Sequence, residues 1–83
     1  MSQIQMTVPD ESLLALKLTA DRAGDELRLA AAMKLFEMGR LSSGAAAQLA
    51  GIPRPLFLSR LAEFGIATFQ LSAEELRGDA ERA

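Results

Sequence analysis

The length and composition of the chain limit the kinds of protein it can be. Its 83 residues are enough for one small domain, and 49% of them are hydrophobic, more than such a domain buries alone, so we expect an oligomer. The chain has no cysteine, histidine, tyrosine or tryptophan, which removes disulfides, thiolate metal sites and the commonest general base. We therefore expect no enzyme activity, no metal and no cofactor.

Charge and hydropathy indicate the environment of the protein. No apolar run approaches the roughly 20 residues that span a bilayer, and the N-terminus lacks a signal-peptide pattern, so we expect a cytoplasmic protein without membrane contact. The net charge of −2 does not indicate nucleic-acid binding. However, residues 34–62 hold four basic residues and one acidic residue, whereas residues 66–83 hold two basic and four acidic residues. A basic centre is thus followed by an acidic tail.

The first predicted element is a short strand at Gln3–Val8, where polar and apolar residues alternate. Pro9 ends the strand. A first helix is predicted from about Asp10 to Leu18, because its first residues are acidic and suit the positive end of the helix dipole. Residues 19–24 are predicted to be non-helical and to separate the first helix from the next.

A second helix is predicted from about Asp25 to Met38, ending at Gly39. It is apolar over most of its circumference, which is typical of a helix buried on more than one side. A chain this short has little other material to cover such a helix. We therefore expect it to be the central helix and to contact a second chain, which makes the protein an obligate oligomer.

The stretch Leu41–Gly65, LSSGAAAQLAGIPRPLFLSRLAEFG, is predicted to form a helix-turn-helix. Ser42 is a good N-cap for a short alanine-rich helix, Ala45–Ala50. Gly51 can end that helix because glycine reaches the left-handed conformation without steric cost. This motif needs small residues where its two helices cross, and the alanine-rich helix supplies them.

The second helix of the motif is predicted to start at Pro55, with Arg54 as its N-cap. Apolar residues then recur at helical spacing as far as Phe64. Ile52 is predicted to point inward after the turn, and Phe57 to be the core anchor. An ordinary helical hairpin would use the same packing, so the pattern alone leaves DNA binding open.

The chain after the motif is predicted to contain a short strand and a final helix. Ala67–Leu71 would pair with the N-terminal strand, in the same chain or in another. A capping box predicts the helix, Ala73 to about Ala80. The predicted fold class is therefore mainly α: a helix-turn-helix core flanked by one or two short β-strands, oligomeric. Residues 1–71 form the DNA-binding and oligomerisation domain, and residues 72–83 an acidic tail.

The candidate DNA contacts are polar residues on and beside the motif. Arg54 lies at the start of the second helix, the end that meets base edges in helix-turn-helix complexes. Two residues argue against the assignment: Glu63 would repel phosphate, and Leu56 suggests a protein contact. For each arginine, a solvated surface charge is an equally good interpretation. The full candidate set is Arg40, Ser43, Gln48, Arg54, Ser59 and Arg60.

The segment KLFEMGRLSSGAAAQLAGIPRPLFLSRLAEFGI resembles an uncharacterised family of small prokaryotic proteins predicted to be type II antitoxins. Their characteristic string is similar to KLYEEGKIS-x-GKAAELAGISR-x-EFLELLAERGI, and the resemblance covers about residues 8–76. The chain departs from it at Ala45, Pro53 and Arg60, where lysine, serine and leucine are common. The resemblance implies operator binding by the motif and a PIN-domain ribonuclease toxin as partner of the tail. The candidate partner-binding residues are Leu71, Glu74, Glu75 and Leu76.

The leading hypothesis is an antitoxin-like DNA-binding protein that neutralises a partner toxin and represses its own operon as a homo-oligomer. One alternative is a ribbon-helix-helix regulator, in which Gln3, Gln5 and Thr7 of paired strands read the DNA. The other is a protein-interaction adaptor without DNA binding, with Leu56 in its interface. Salt-dependent binding to operator DNA separates the adaptor from the other two.

Overall fold

The computed structural model describes residues 2–68, and within them the chain forms four helices. They are α1 (Asp10–Leu16), α2 (Ala20–Glu37), α3 (Ser43–Ala50) and α4 (Arg54–Glu63). The mainly α fold class is confirmed. None of the four helices is both long and apolar enough to cross a membrane. The predicted final helix and the candidates Leu71, Glu74, Glu75 and Leu76 lie outside the described residues, as does most of the second predicted strand.

The predicted N-terminal strand is wrong for a single chain. Residues 2–9 form no regular secondary structure, and both Ile4 and Met6 are exposed. A strand requires a neighbouring strand for its backbone hydrogen bonds. No other segment within residues 2–68 adopts strand geometry, so the alternating pattern has nothing in its own described chain to pair with.

The second helix starts earlier than predicted, at Ala20, and takes in most of the expected break. Asp21, Arg22 and Ala23 are compatible with a helix, and the exposed Arg22–Glu26 pair, with 3.9 Å between nitrogen and oxygen, adds i,i+4 support. Gly24 costs only about 1 kcal/mol in a helix, which packing readily offsets. The link between α1 and α2 is a three-residue turn in which Lys17 has a φ of 59°.

The two helices and the tight turn of the predicted motif are present, with shifted boundaries: α3 begins at Ser43 instead of Ala45, and the N-cap of α4 also moves. The Ser42 hydroxyl accepts a hydrogen bond from the Ala45 N–H at 3.2 Å, and Gly51 ends α3 with a φ of 76°. The N-cap of α4 is Pro53 rather than Arg54, which is the first helical residue. The shift costs no hydrogen bond, because the first N–H groups of any helix lack an intrahelical acceptor and the following proline can occupy that turn.

The core lies between α2, α3 and α4. The rings of Phe36 and Phe57 meet edge to face, with their centroids 6.2 Å apart and an interplanar angle of 90°. Small residues on α3 let the other two helices approach it closely. The prediction that Phe57 is a core anchor is confirmed, since its side chain is fully buried. The remaining core residues are Ala32, Met33, Ala46, Ala47, Ala50 and Leu61.

The central helix is covered better by its own chain than the sequence suggested. Met33 and Phe36 are buried, and among the large apolar residues of this region only Met38, just after the helix, is exposed. Oligomerisation therefore stays a prediction, and the apolar face of α2 is not a strong reason for it. The most exposed large apolar side chains, Ile4, Leu14 and Met6, lie instead before α2.

Candidate nucleic-acid interface

The six candidate DNA contacts are distributed over three parts of the fold. The exposed ones are Arg40 in the turn before α3, Gln48 near the end of α3, and Ser59 and Arg60 on α4. Arg54, at the start of α4, is half-buried, and Ser43, at the start of α3, is fully buried. The arrangement brings the beginnings of α3 and α4 together, whereas Arg40 lies on a separate turn.

The position of Ser43 does not favour the phosphate contact predicted for it. Its side chain has no exposed surface, and its hydroxyl accepts a hydrogen bond from Arg54 Nε at 2.8 Å. A buried hydroxyl needs an internal partner, and this one joins the first residue of α3 to the first residue of α4. Ser43 is therefore placed to orient the arginine, and its hydroxyl presents no exposed surface to a phosphate in this conformation.

Arg54 is held in place at the N-terminal end of α4. Its Nε is occupied by Ser43, but a guanidinium carries further N–H donors that can reach a base or a phosphate. A fixed guanidinium loses less conformational entropy on binding than a freely rotating one. The structure thus gives Arg54 a definite position, which the sequence could not.

Arg60 forms an ion pair with Glu63 on the outer side of α4. Arg60 Nη1 lies 3.0 Å from Glu63 Oε2, and both side chains are largely exposed. The pair reduces the repulsion that Glu63 would exert on a phosphate. An exposed pair of this kind contributes only about 0–1 kcal/mol, so a phosphate can compete for the arginine.

Arg28 is a residue that the sequence analysis did not identify. Its Nε donates a hydrogen bond to the carbonyl oxygen of Leu49 at 2.8 Å, at the C-terminal end of α3, where a cation is favoured. Its guanidinium also lies against the turn, since a Cβ built on Gly51 would be 3.2 Å from Arg28 Nη2. Arg28 therefore ties α2 to the turn that orients α4. No local pattern predicts a contact between residues so far apart in sequence.

A shallow groove of about 240 Å³ runs between α2 and α4 beside this contact. It is lined by charged residues of both signs, among them Asp25, Arg28 and Arg60, together with apolar residues such as Ile52 and Leu56. Small-molecule sites usually measure about 300–1,000 Å³ and enclose their ligand, so this groove does not resemble one. Within residues 2–68 there is also no group of three His, Cys, Asp or Glu residues placed to hold a metal ion.

Comparison with known proteins gives one match. The model of an uncharacterised protein family, UPF0175, matches residues 1–83. No curated protein and no solved structure matches the chain. The family description assigns no activity, so any function has to be argued from the residues and the fold.

Proposed function

The chain belongs to the uncharacterised protein family UPF0175, and on that premise we propose that it is an antitoxin-like DNA-binding protein. Its helix-turn-helix binds operator DNA, and the acidic segment after the motif binds a toxin. In this proposal the protein represses its own operon.

The geometry of α3, the turn and α4 is the observation that carries the DNA-binding part. Gly51 is left-handed, and the Ile52 N–H bonds back to the Ala47 carbonyl oxygen at 3.1 Å, which fixes a sharp turn. The inner face of α4 is buried through Phe57 and Leu61. Its outer face is left in solvent, as a recognition helix in the major groove requires.

The distribution of charge supports the same proposal. Residues 34–62 carry a formal charge of +3, although the whole chain carries −2. Basic side chains at and beside α4 supply the phosphate contacts that dominate the affinity for DNA. The acidic residues of the tail would be repelled by DNA and suit a basic protein surface instead. The identity of that partner as a PIN-domain toxin rests on the resemblance to predicted antitoxins alone.

The DNA-binding part is tested with fluorescence anisotropy. The probe is a labelled duplex from the region upstream of the protein's own gene, and the control is a scrambled duplex of the same composition. We expect a preference of about 10³-fold or more for the upstream duplex, with an affinity that falls steeply as salt rises. Equal affinity for both duplexes at every salt concentration overturns this part of the proposal.

The toxin-binding part is tested by co-expression with the product of the neighbouring reading frame. The full chain should relieve growth inhibition and co-purify with that product. A chain ending at Leu71 should do neither, while keeping its DNA binding. If the shortened chain neutralises the product as well as the full chain does, the tail is not the toxin-binding segment.

A protein-interaction adaptor remains a second candidate, because large apolar side chains are exposed on and beside the motif. They are Leu49 on α3, Leu56 on α4 and Phe64 just after α4. In an adaptor these residues would pack against another protein. Replacing Leu56 with alanine should then weaken a protein complex, and no salt-dependent preference for the upstream duplex should be found.

A further inference from the structure

The first part of the chain, residues 2–18, is uncovered, and we call it the N-terminal arm. Ile4 is 85% exposed, Met6 72% and Leu14 78%, and α1 has no buried residue at all. By contrast, every member of the packed core lies on α2, α3 or α4. Val8, Leu13 and Leu18 are half-buried, but no residue of the arm is fully buried, so the arm gains little from packing on the described part of its own chain.

The chemistry of the arm fits a second copy of itself. Residues 2–9 contain no charged side chain, so two copies can approach each other without repulsion, and they offer no charge to attract DNA or an acidic or basic protein. Their backbone N–H and C=O groups form no ladder within residues 2–68. An uncharged segment with alternating apolar residues and no ladder of its own can form a strand by pairing with another copy.

The spacing of the apolar residues selects one register. In an antiparallel pair with Met6 on the two-fold axis, Ile4 lies opposite Val8, Met6 opposite its own copy, and Gln5 opposite Thr7. Every apolar residue then faces an apolar one, and the polar residues share the other face. Pro9, which has no N–H, ends the pairing.

We propose that this protein forms a two-fold symmetric dimer in which residues 4–8 of two chains pair as an antiparallel β-ribbon centred on Met6. The apolar face of the ribbon is covered by the α1 helices, where Leu14 is exposed in the single chain. Two strands alone are marginal, so this covering is required for stability. The proposal does not depend on whether the protein binds DNA or a toxin.

The test introduces the same charge at two adjacent positions of the full chain, Met6→Asp and Gln5→Asp. Both residues are exposed in the single chain, so neither change should alter its helices, as far-ultraviolet circular dichroism will check. Sedimentation equilibrium over a dilution series then measures the dissociation constant of the dimer. Met6→Asp sets two carboxylates opposite each other and should raise the dissociation constant at least about tenfold. Gln5→Asp lies on the solvent face and should change it less than about threefold.

A charge swap tests the two-fold position of Met6 directly. Met6→Asp and Met6→Lys chains should each dimerise more weakly than the wild type alone and should form a tighter mixed dimer when combined, because the opposite charges then face each other. A wild-type protein that is monomeric throughout the series overturns the proposal, as do equal effects of the two aspartate variants. A dimer that survives Met6→Asp shows that the interface lies elsewhere. Because no DNA is present, none of these results bears on the DNA-binding proposal.

Discussion

Replacement of Phe57 by alanine is the most direct test of the core. The ring is 0% exposed and packs edge to face on Phe36, with Ala46, Ala47 and Leu61 in the same buried cluster. Alanine would leave a space that α4 can close only by moving relative to α3. The substitution therefore probes whether the helix-turn-helix is held by this one side chain.

The expected loss of unfolding free energy in Phe57→Ala is large compared with the total stability of the domain. Loss of a fully buried phenylalanine costs about 3–5 kcal/mol, which includes the transfer of the ring and the residual cavity. Part of that loss, about 0.5–1.5 kcal/mol, is the edge-to-face contact with Phe36. A chain of 83 residues has a total stability of about 4–12 kcal/mol. Phe57→Ala should thus remove a large share of it.

Urea unfolding followed by far-ultraviolet circular dichroism is the suitable assay, because the chain has no tryptophan or tyrosine for fluorescence. The matched control is Phe64→Ala, the same chemical change at a side chain that is 63% exposed just after α4. It should cost less than about 1 kcal/mol. If the two variants lose equal stability, or Phe57→Ala loses less than about 1 kcal/mol, the packing of α4 described above is wrong.

Three further predictions concern the turn, the start of α4 and the proposed toxin-binding tail. Gly51→Ala should destabilise the fold by about 1–2 kcal/mol because the φ of Gly51 is 76°. Gly24→Ala lies in helix α2 with nothing within 4 Å of the added Cβ and should stabilise the fold by about 0.5–1 kcal/mol. Urea unfolding curves of both variants measure the two changes in unfolding free energy. Arg54→Ala should weaken operator binding by about 1–3 kcal/mol if the residue reads a base. If it contacts phosphate, the slope of log affinity against log salt concentration should become less steep by about one. Anisotropy titrations at two salt concentrations distinguish these outcomes. Gln5→Ala should leave that affinity unchanged, and the reverse outcome moves the DNA site to the arm. Deletion of residues 74–83 should preserve the helical signal and the sedimentation coefficient while abolishing toxin binding, and loss of the helical signal would make the tail structural.

The features that could be predicted from the sequence are those fixed by neighbouring residues. Ser42 caps α3 through a residue three positions away, and Gly51 ends it through its own backbone freedom. The burial of Phe57 followed from the helical spacing of apolar residues on α4. Each of these depends on a few positions in sequence, so the pattern was sufficient.

The features that could not be predicted depend on distant parts of the chain or on another chain. Arg28 meets Leu49 because α2 packs beside the end of α3, which no local pattern encodes. Ser43 is a good surface donor by residue type, yet it is buried beside Arg54. Because Arg54 donates a hydrogen bond to Ser43, Arg54→Ala should cost about 0.5–1.5 kcal/mol of stability, the usual net contribution of one hydrogen bond. The strand at Gln3–Val8 has the right period but needs a second strand that the described chain does not supply.

The position of the core along the chain has an evolutionary consequence. The packed cluster of the described residues lies between Ala32 and Leu61, and no residue of the N-terminal arm belongs to it. Mutations in the arm can therefore accumulate without a loss of folded protein that selection would remove. If the proposed ribbon is the dimer interface, the choice of partner chain and the ability to fold are encoded in different parts of this short gene, and each can change while the other is held constant.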